Sequence, residues 1–414
     1  MSDQTNLHEV DLTTLAYGGA AMGRLADGRA VFVPFGLPGE KVRVRLVEER
    51  RGFARAELVE VIDPSPARIR PRCQHFGVCG GCHYQHLPYE QQLQAKTEIL
   101  IDQLQRIGKI PVPPVQAIVA SPTPWNYRNS IQFHLTEAGK LAYITARGDQ
   151  KMEVLECHLP EPTLNAFWPH LEFEPETEIE RVGLRSDQDE SLMLLLESDS
   201  PEPPDLEIEA GISVTHLFED HAVVMAGTDH TVQSVLGREF KISAPSFFQV
   251  NTSMAEKMAE HLLENLTLPE SATLIDIYCG VGLFSAFFAA RCERLIGIEL
   301  SSSACEDFAE NLDEFDNVEL YEGAAEEVLP ALQPQLPDET YVILDPPRAG
   351  LDKAVIDALL AMQPTIIAYV SCDPSTLARD AARLLQGGYR LRQVTPFDLF
   401  PQTFHIESIS FFER

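Results

Sequence analysis

From about residue 250 the chain changes period: helical stretches alternate with short apolar runs, each stopping at an acid or a thiol. This alternation leaves little choice but an open, mostly parallel α/β sheet, whose ligands bind at the carboxyl ends of the strands. Met254 to Leu266 reads as a helix and Ala272 to Asp276 as a buried strand ending in an acid, after which Tyr278-Cys279-Gly280-Val281-Gly282 forms a glycine turn opening the next helix. Arg294 to Glu299 is a second strand ending in a carboxylate. Tyr341 to Leu344 runs into Asp345-Pro346-Pro347-Arg348-Ala349-Gly350, and Ile366 to Val370 runs into Ser371-Cys372-Asp373-Pro374. The chemistry is expected along one edge of that sheet.

The spacing of Gly280 and Gly282 is not the GxGxxG fingerprint of dinucleotide sites. Asp276, the glycine turn and an acid at Glu299, placed to reach ribose hydroxyls, suit S-adenosylmethionine better than a nicotinamide cofactor. The two prolines after Asp345 stiffen a loop over the crevice. An isolated cysteine such as Cys372 is more often structural; at the carboxyl edge, facing the donor pocket, it is a candidate nucleophile.

At 414 residues two or three domains are expected, and no apolar run reaches membrane-spanning length. The opening Met1-Ser2-Asp3-Gln4 has no basic leader, which points to the cytoplasm. The eight cysteines are then thiols or ligands rather than disulfides. Net charge is -31, which taken whole argues against a polyanionic partner, yet residues 1–72 hold 11 Lys and Arg against 10 acids. The acid is segregated: residues 171–210 carry 14 acidic residues against Arg181 and Arg185, a solvated face turned from any polyanion. Residues 8–62 contain short alternating runs punctuated by Gly18-Gly19, Gly28, Gly36 and Gly39, the pattern of a small closed β barrel. Lys41, Arg43 and Arg45 share one face of a strand, a stripe read either as an RNA contact or as an ordinary solvated face.

Cys73, Cys79 and Cys82 crowd one glycine-containing loop, with Cys157 the next cysteine along the chain. Thiols packed this densely in a cytoplasmic chain are usually ligands, and spacing alone allows tetrahedral zinc, with His75, His83 and His158 as competing ligands, or a [4Fe-4S] cluster. Residues 85–105 have a helical pattern. Pro124-Trp125-Asn126-Tyr127-Arg128-Asn129 offers an aromatic pair with an arginine, either a base-stacking element or a hydrophobic anchor.

Taken together these motifs resemble the RNA uracil-5-methyltransferases, most closely the bacterial 23S ribosomal RNA branch that carries an iron–sulfur cluster. The resemblance runs end to end. It rests on Leu37-Pro38-Gly39-Glu40, the four cysteines, Phe248-Gln249-Val250-Asn251, Asp276 to Gly282, Asp345 to Gly350, Ser371 to Pro374 and Pro401 to Glu407, in that order. The resemblance implies an α/β fold class: an N-terminal OB-like TRAM barrel over 1–64, a central α+β domain over 65–248 with the cluster, and a Rossmann-like class I methyltransferase domain over 249–414. The helix around 90–107 is expected to pack on the last of these. Cys73, Cys79, Cys82 and Cys157 are then the four ligands of a [4Fe-4S] cluster. Gln249, Tyr278, Gly280, Gly282, Glu299 and Asp345 line the donor, Glu299 on its ribose and Asp345 also orienting the uracil. Tyr278 and Leu283 stand where the family more often has phenylalanine and asparagine.

The expected activity is methyl transfer from S-adenosylmethionine to C5 of a specific uridine in 23S rRNA, with the same chemistry on a tRNA uridine, or RNA binding without catalysis, as alternatives. Uracil C5 is a poor nucleophile until a thiolate adds to C6, the role of Cys372; Asp345 or Gln249 steadies the enolate. A base must then remove the C5 proton, Glu407 by preference and His405 as second candidate. RNA is the expected partner, the protein is expected to be monomeric, and the cluster to be structural or RNA-positioning.

Overall fold

The computed structural model describes residues 7–206, 211–219, 221–337 and 339–414, so residues 207–210 of the acidic stretch and the opening six residues lie outside the described residues. Two compact units emerge: Met1–Ile99 with Tyr143–His158 and Phe400–His405, and Leu100–Ala142 with Leu159–Leu399 and Ile406–Arg414.

The first unit is built on β1 (Leu7–Leu15), β2 (Ala20–Arg24), β3 (Ala30–Pro34), β4 (Lys41–Glu49) and β5 (Phe53–Asp63), a closed barrel in the order β1-β2-β3-β5-β4. Its core follows the alternation in the sequence: Val10, Leu12, Val31, Val33, Val42, Val44 and Ala54 point inward and form one cluster. Glu40 is 1% exposed and binds Arg68 through both oxygens, at 2.5 and 2.8 Å, while accepting the Leu37 N–H at 2.9 Å. Burial pushes this carboxyl up, but the Arg68 hydrogen bonds, then that of Leu37, outweigh it and hold it below its ordinary value.

On β4, Lys41 pairs with Glu9 at 3.0 Å, Arg43 with Glu9 at 3.2 Å and with Glu60, and Arg45 with Glu57 at 3.9 Å. Neighbouring strands thus supply three acids to three cations of the stripe, a partly exposed, charge-matched face. α1 (Tyr89–Arg106) starts in this unit, where residues 85–105 had read as helical.

In the second unit β6 (Ser130–Leu135), β7 (Leu141–Ile144), β9 (Ile179–Ser186), β10 (Leu192–Ser198), β11 (Ser213–Phe218) and β12 (His221–Ala226) run in the order β12-β11-β10-β9-β6-β7; β8 (Lys151–Glu153) belongs to the first unit, and a short α2 spans Pro162–Phe167. Glu172, Glu174, Glu176, Glu178 and Glu180 are all exposed, the solvated acidic face expected. Tyr127 is 5% exposed, so it is a hydrophobic anchor and the base-stacking reading of that residue is withdrawn. β13 (His230–Val235) and β14 (Arg238–Ser243) form a separate hairpin.

The rest alternates: α3 (Thr252–Asn265), β15 (Thr273–Ile277), α4 (Ser285–Phe288), β16 (Arg294–Glu299), α5 (Ser302–Asn311), β17 (Val318–Glu322), α6 (Ala325–Leu332), β18 (Thr340–Leu344), α7 (Lys353–Met362), β19 (Ile366–Ser371), α8 (Pro374–Gln386), β20 (Arg390–Phe397) and β21 (Glu407–Glu413). The sheet order is β17-β16-β15-β18-β19-β21-β20, parallel until β21, which runs antiparallel between β19 and β20. Its apolar strands, among them Ile275, Ile277, Val342, Leu344 and Tyr369, pack with Leu100 and Leu104 from the end of α1 in one core. This is a Rossmann-like methyltransferase fold. Among the described residues no helix is long and apolar enough to cross a membrane.

Candidate active site at the carboxyl edge of the sheet

Strand order reverses between β15 and β18, so a crevice opens at their carboxyl ends. Asp276, 1% exposed near the end of β15, accepts the Ser285 hydroxyl at 2.6 Å through Oδ2, while Oδ1 has no hydrogen-bond partner. Burial pushes its carboxyl up to about 7, against 3.8 ordinarily. The turn that follows is strained by design: Tyr278 sits at φ 64°, a left-handed conformation that an aromatic residue rarely adopts. Gly280 and Gly282 also have positive φ, and a Cβ on Gly282 would lie 2.5 Å from Leu312 Cδ1. Only glycine fits there.

Glu299, at the end of β16, is locked by backbone amides. Its Oε2 accepts Gly280 N–H at 2.9 Å and its Oε1 accepts Leu300 and Ser301 N–H at 2.8 and 2.9 Å. The glycine turn and this acid therefore form one fixed element. Gln249 lies just before α3; its carbonyl accepts Asn129 Nδ2 at 3.0 Å, and Asn251 caps the helix by accepting the Met254 N–H.

Asp345 follows β18 at the reversal. Burial first, then the charge of Asp276, pushes its carboxyl up to about 7. The loop after it is held from α8: Arg379 Nη2 donates to Ala349 O and Leu351 O at 2.9 and 3.2 Å, and buried Asp380 accepts Leu351 N–H at 2.9 Å and the Tyr369 hydroxyl at 3.1 Å. Sequence reading missed Ser285, Arg379 and Asp380. Ser285 lay within reach, closing the motif that begins at Asp276; the other two act from a helix far along the chain and leave no local pattern.

Cys372 sits between the last paired residue of β19 and Asp373, whose Oδ1 caps α8 by accepting Ser375 and Thr376 N–H at 2.8 and 3.0 Å. The antiparallel register of β19 and β21 pairs Ser371 with Ser408, the chain neighbours of Cys372 and Glu407, and the charge of Glu407 acts on the Cys372 thiol. Glu407 is 6% exposed. Burial, then the charges of Glu407 and Asp345, push the Cys372 thiol up to about 12, with Arg348 opposing them. The structure therefore brings Cys372, Glu407 and Asp345 together. His405 belongs to the first unit, its ring packed 4.3 Å from that of Phe404 and 5.7 Å from that of Phe400.

Cys73, Cys79, Cys82 and Cys157 share one neighbourhood in the first unit. All are free thiols, and the charge of Cys157 acts on each of Cys73, Cys79 and Cys82. His75 and Gly81 N–H groups donate to the sulfurs of Cys73 and Cys79 at 3.4 Å. Burial pushes Cys73 up to about 11. His75 Nε2 is taken by the Leu155 N–H at 3.0 Å, and the His83 ring packs 4.6 Å from that of Phe404. Among the described residues no group of three or more His, Cys, Asp or Glu stands in an arrangement that could hold a metal ion. In chemical kind, thiols, two of which accept N–H groups at sulfur, are the ligand type that iron–sulfur groups use.

Residues 225–414 match the family described as tRNA (Uracil-5-)-methyltransferase, and residues 8–59 match the TRAM domain. The chain is 34% identical to an uncharacterized RNA methyltransferase of Thermosynechococcus vestitus, covering 97% of each chain. It is 30% identical to another from Halalkalibacterium halodurans, covering 99% of this chain and 98% of that one. Its fold is similar to that of the Pyrococcus abyssi tRNA (uracil-54, C5)-methyltransferase, solved with S-adenosyl-L-homocysteine, at a TM-score of 0.74 and 24% identity over 97% of this chain and 99% of that one. With relatives spanning its length, a TRAM barrel and a matching α/β half, this chain belongs to the S-adenosylmethionine-dependent RNA (uracil-5-)-methyltransferase family.

Proposed function

We propose that this enzyme methylates C5 of a specific uridine in a folded RNA through a covalent bond between Cys372 and C6 of the base. The observation that carries this reading is the pairing of Ser371 with Ser408, next to Cys372 and Glu407 in the chain, with the charges of Glu407 and Asp345 both acting on the Cys372 thiol. Bound S-adenosylmethionine supplies the electrophilic methyl group. The Cys372 thiol gives up its proton to solvent as its sulfur bonds to C6, and Asp345, pushed up to about 7, donates to the ring oxygen that gathers the enolate charge. After C5 takes the methyl, Glu407 removes the C5 proton, the C5–C6 double bond returns, and Cys372 leaves as thiolate. Glu299 and the Tyr278–Gly282 turn hold the donor, with Gln249 between donor and base.

Of the two substrates expected, tRNA has the better support. The matching family is described by tRNA, and the similar solved enzyme acts on uracil-54 of tRNA. The RNA is met in the cytoplasm by a monomer. Cys73, Cys79, Cys82 and Cys157 would hold a [4Fe-4S] cluster, which serves as a structural fastening because the reaction moves no net electrons; anaerobic iron and sulfide analysis tests this, and stoichiometric zinc without iron overturns it. Labelled methyl transfer to undermodified tRNA and 23S rRNA side by side, with nuclease mapping, tests the substrate. Label at C5 of a tRNA uridine is expected; label in 23S RNA alone restores the ribosomal reading, and label in neither overturns the function.

A further inference from the structure

Gln249 is held through its own backbone by one buried residue of the same unit. Its carbonyl accepts Asn129 Nδ2 at 3.0 Å, and the next carbonyl, that of Val250, accepts the Asn129 N–H at 2.9 Å. The same Nδ2 also donates to Thr252 Oγ1 at 3.0 Å, in the first turn of α3. Asn129 is 6% exposed and is fixed in turn, because its carbonyl accepts the Ser186 N–H at 2.9 Å. On the other side of Gln249, Arg185 donates to the Ser243 and Ser246 carbonyls at 3.1 and 2.9 Å. The Ser246 hydroxyl donates to Ser303 Oγ at 3.2 Å, and Ser303 Oγ pairs with Ser301 Oγ at 3.2 Å. Ser301 is one of the residues whose N–H Glu299 accepts, so the stretch carrying Gln249 is tied by direct contacts to the acid at the end of β16.

A buried carboxamide is costly unless its N–H groups are matched, and both partners of Asn129 Nδ2 lie within three residues of Gln249. What those bonds fix is the main chain on both sides of the Val250 Cα, beginning at the peptide group of Gln249 itself. The side-chain torsions of Gln249 are then the freedom that remains to it. We propose that Asn129 is a positioning residue for Gln249, fixing the backbone from which that side chain reaches between donor and base during methyl transfer. In that step the C5 electron pair of the enolate bonds to the methyl carbon, while the donor's methyl–sulfur bond breaks and leaves its pair on sulfur.

This inference rests on reading Gln249 as the group between donor and base. The test is a double-mutant cycle of full-length wild-type, Asn129→Ala, Gln249→Ala and doubly substituted enzymes. Single-turnover methyl transfer is measured at saturating donor and RNA, on the tRNA or 23S rRNA transcript that takes labelled methyl. Asn129→Ala should slow transfer about tenfold and Gln249→Ala at least as much, whereas adding Asn129→Ala to Gln249→Ala should cost no more than about twofold further. Amide hydrogen exchange over residues 249–252 should quicken in Asn129→Ala. Losses that multiply mean that Asn129 serves the fold and not Gln249, and they overturn the proposal, as does an unchanged rate in Asn129→Ala. Asn129→Asp, of the same size but without the Nδ2 donor, should reproduce the loss; failure of both variants to fold marks a structural role and also overturns it. Normal transfer by Gln249→Ala removes the reading of Gln249 and the proposal with it, a failure told apart from failure of the grip by the exchange data of Asn129→Ala.

Discussion

On the outer face of β4, Lys41, Arg43 and Arg45 each stand beside an acid of a neighbouring strand, whereas at the carboxyl edge of the sheet Glu407 and Asp345 bear on one thiol and Asp276 bears on Asp345. In the first arrangement each charge is offset at the surface by an opposite one. The second costs stability, since buried acids raise one another's proton affinity, and burial with the charge of Asp276 pushes Asp345 up to about 7, where a carboxyl binds and releases a proton near neutral pH. Uncompensated charge, more than charge density, marks the working surface of this chain.

If that contrast is right, changes at the edge should be large and changes on the stripe small. Cys372→Ala should lose about four orders of magnitude or more in turnover while binding S-adenosylmethionine as wild type does, measured by methyl transfer and calorimetry; residual turnover within tenfold of wild type would remove Cys372 as nucleophile. Asp345→Asn, which keeps shape and loses the titrating group, should lower kcat about a hundredfold with little change in donor affinity. Because the free Cys372 thiol lies near 12, adduct formation with 5-fluorouridine RNA should rise with pH, approaching tenfold per unit between pH 6 and 9 where ionisation limits the rate. A flat profile would mean that the thiol is already ionised.

Asp276 supplies a stability test with a definite sign. Its folded value of about 7 exceeds the ordinary 3.8, so the folded state holds the proton more tightly and stability is lost as pH rises through that window. Asp276→Asn should therefore raise Tm by a few degrees at pH 8 and leave it unchanged near pH 4, while weakening donor binding. A gain independent of pH would contradict the burial argument. The smallest effect is expected on the stripe: replacing Lys41, Arg43 and Arg45 by serine should leave Tm and the salt dependence of RNA binding nearly as in wild type. A fall in the salt slope of about 0.9 per residue would show that these cations contact phosphate after all.

How much of this could be read from sequence follows from how local each feature is. The strands Thr273–Ile277, Arg294–Glu299, Thr340–Leu344 and Ile366–Ser371 were legible to within a residue of their ends because burial on both faces writes a continuous apolar run, and Gly282 as part of the turn that follows the first. Cys372 was legible for the same reason, as a thiol just past such a run. The pairing of β4 was not, since Glu9, Glu57 and Glu60 come from strands whose register the sequence does not declare. Tyr127 was ambiguous because an aromatic anchor and an aromatic stacker have the same letters and differ only in exposure. Likewise the hydrogen bonds between Gln92 and Gln402 join residues 310 positions apart, which no local pattern could announce.

The most direct test of the central claim is peptide mapping of the covalent complex formed by the wild-type enzyme with S-adenosylmethionine and 5-fluorouridine RNA. The fluorine blocks removal at C5, so a base once methylated there stays attached. The account predicts one modified peptide, containing Cys372, linked to a methylated fluorouridine; absence of any linked peptide, or linkage through another cysteine, would contradict it.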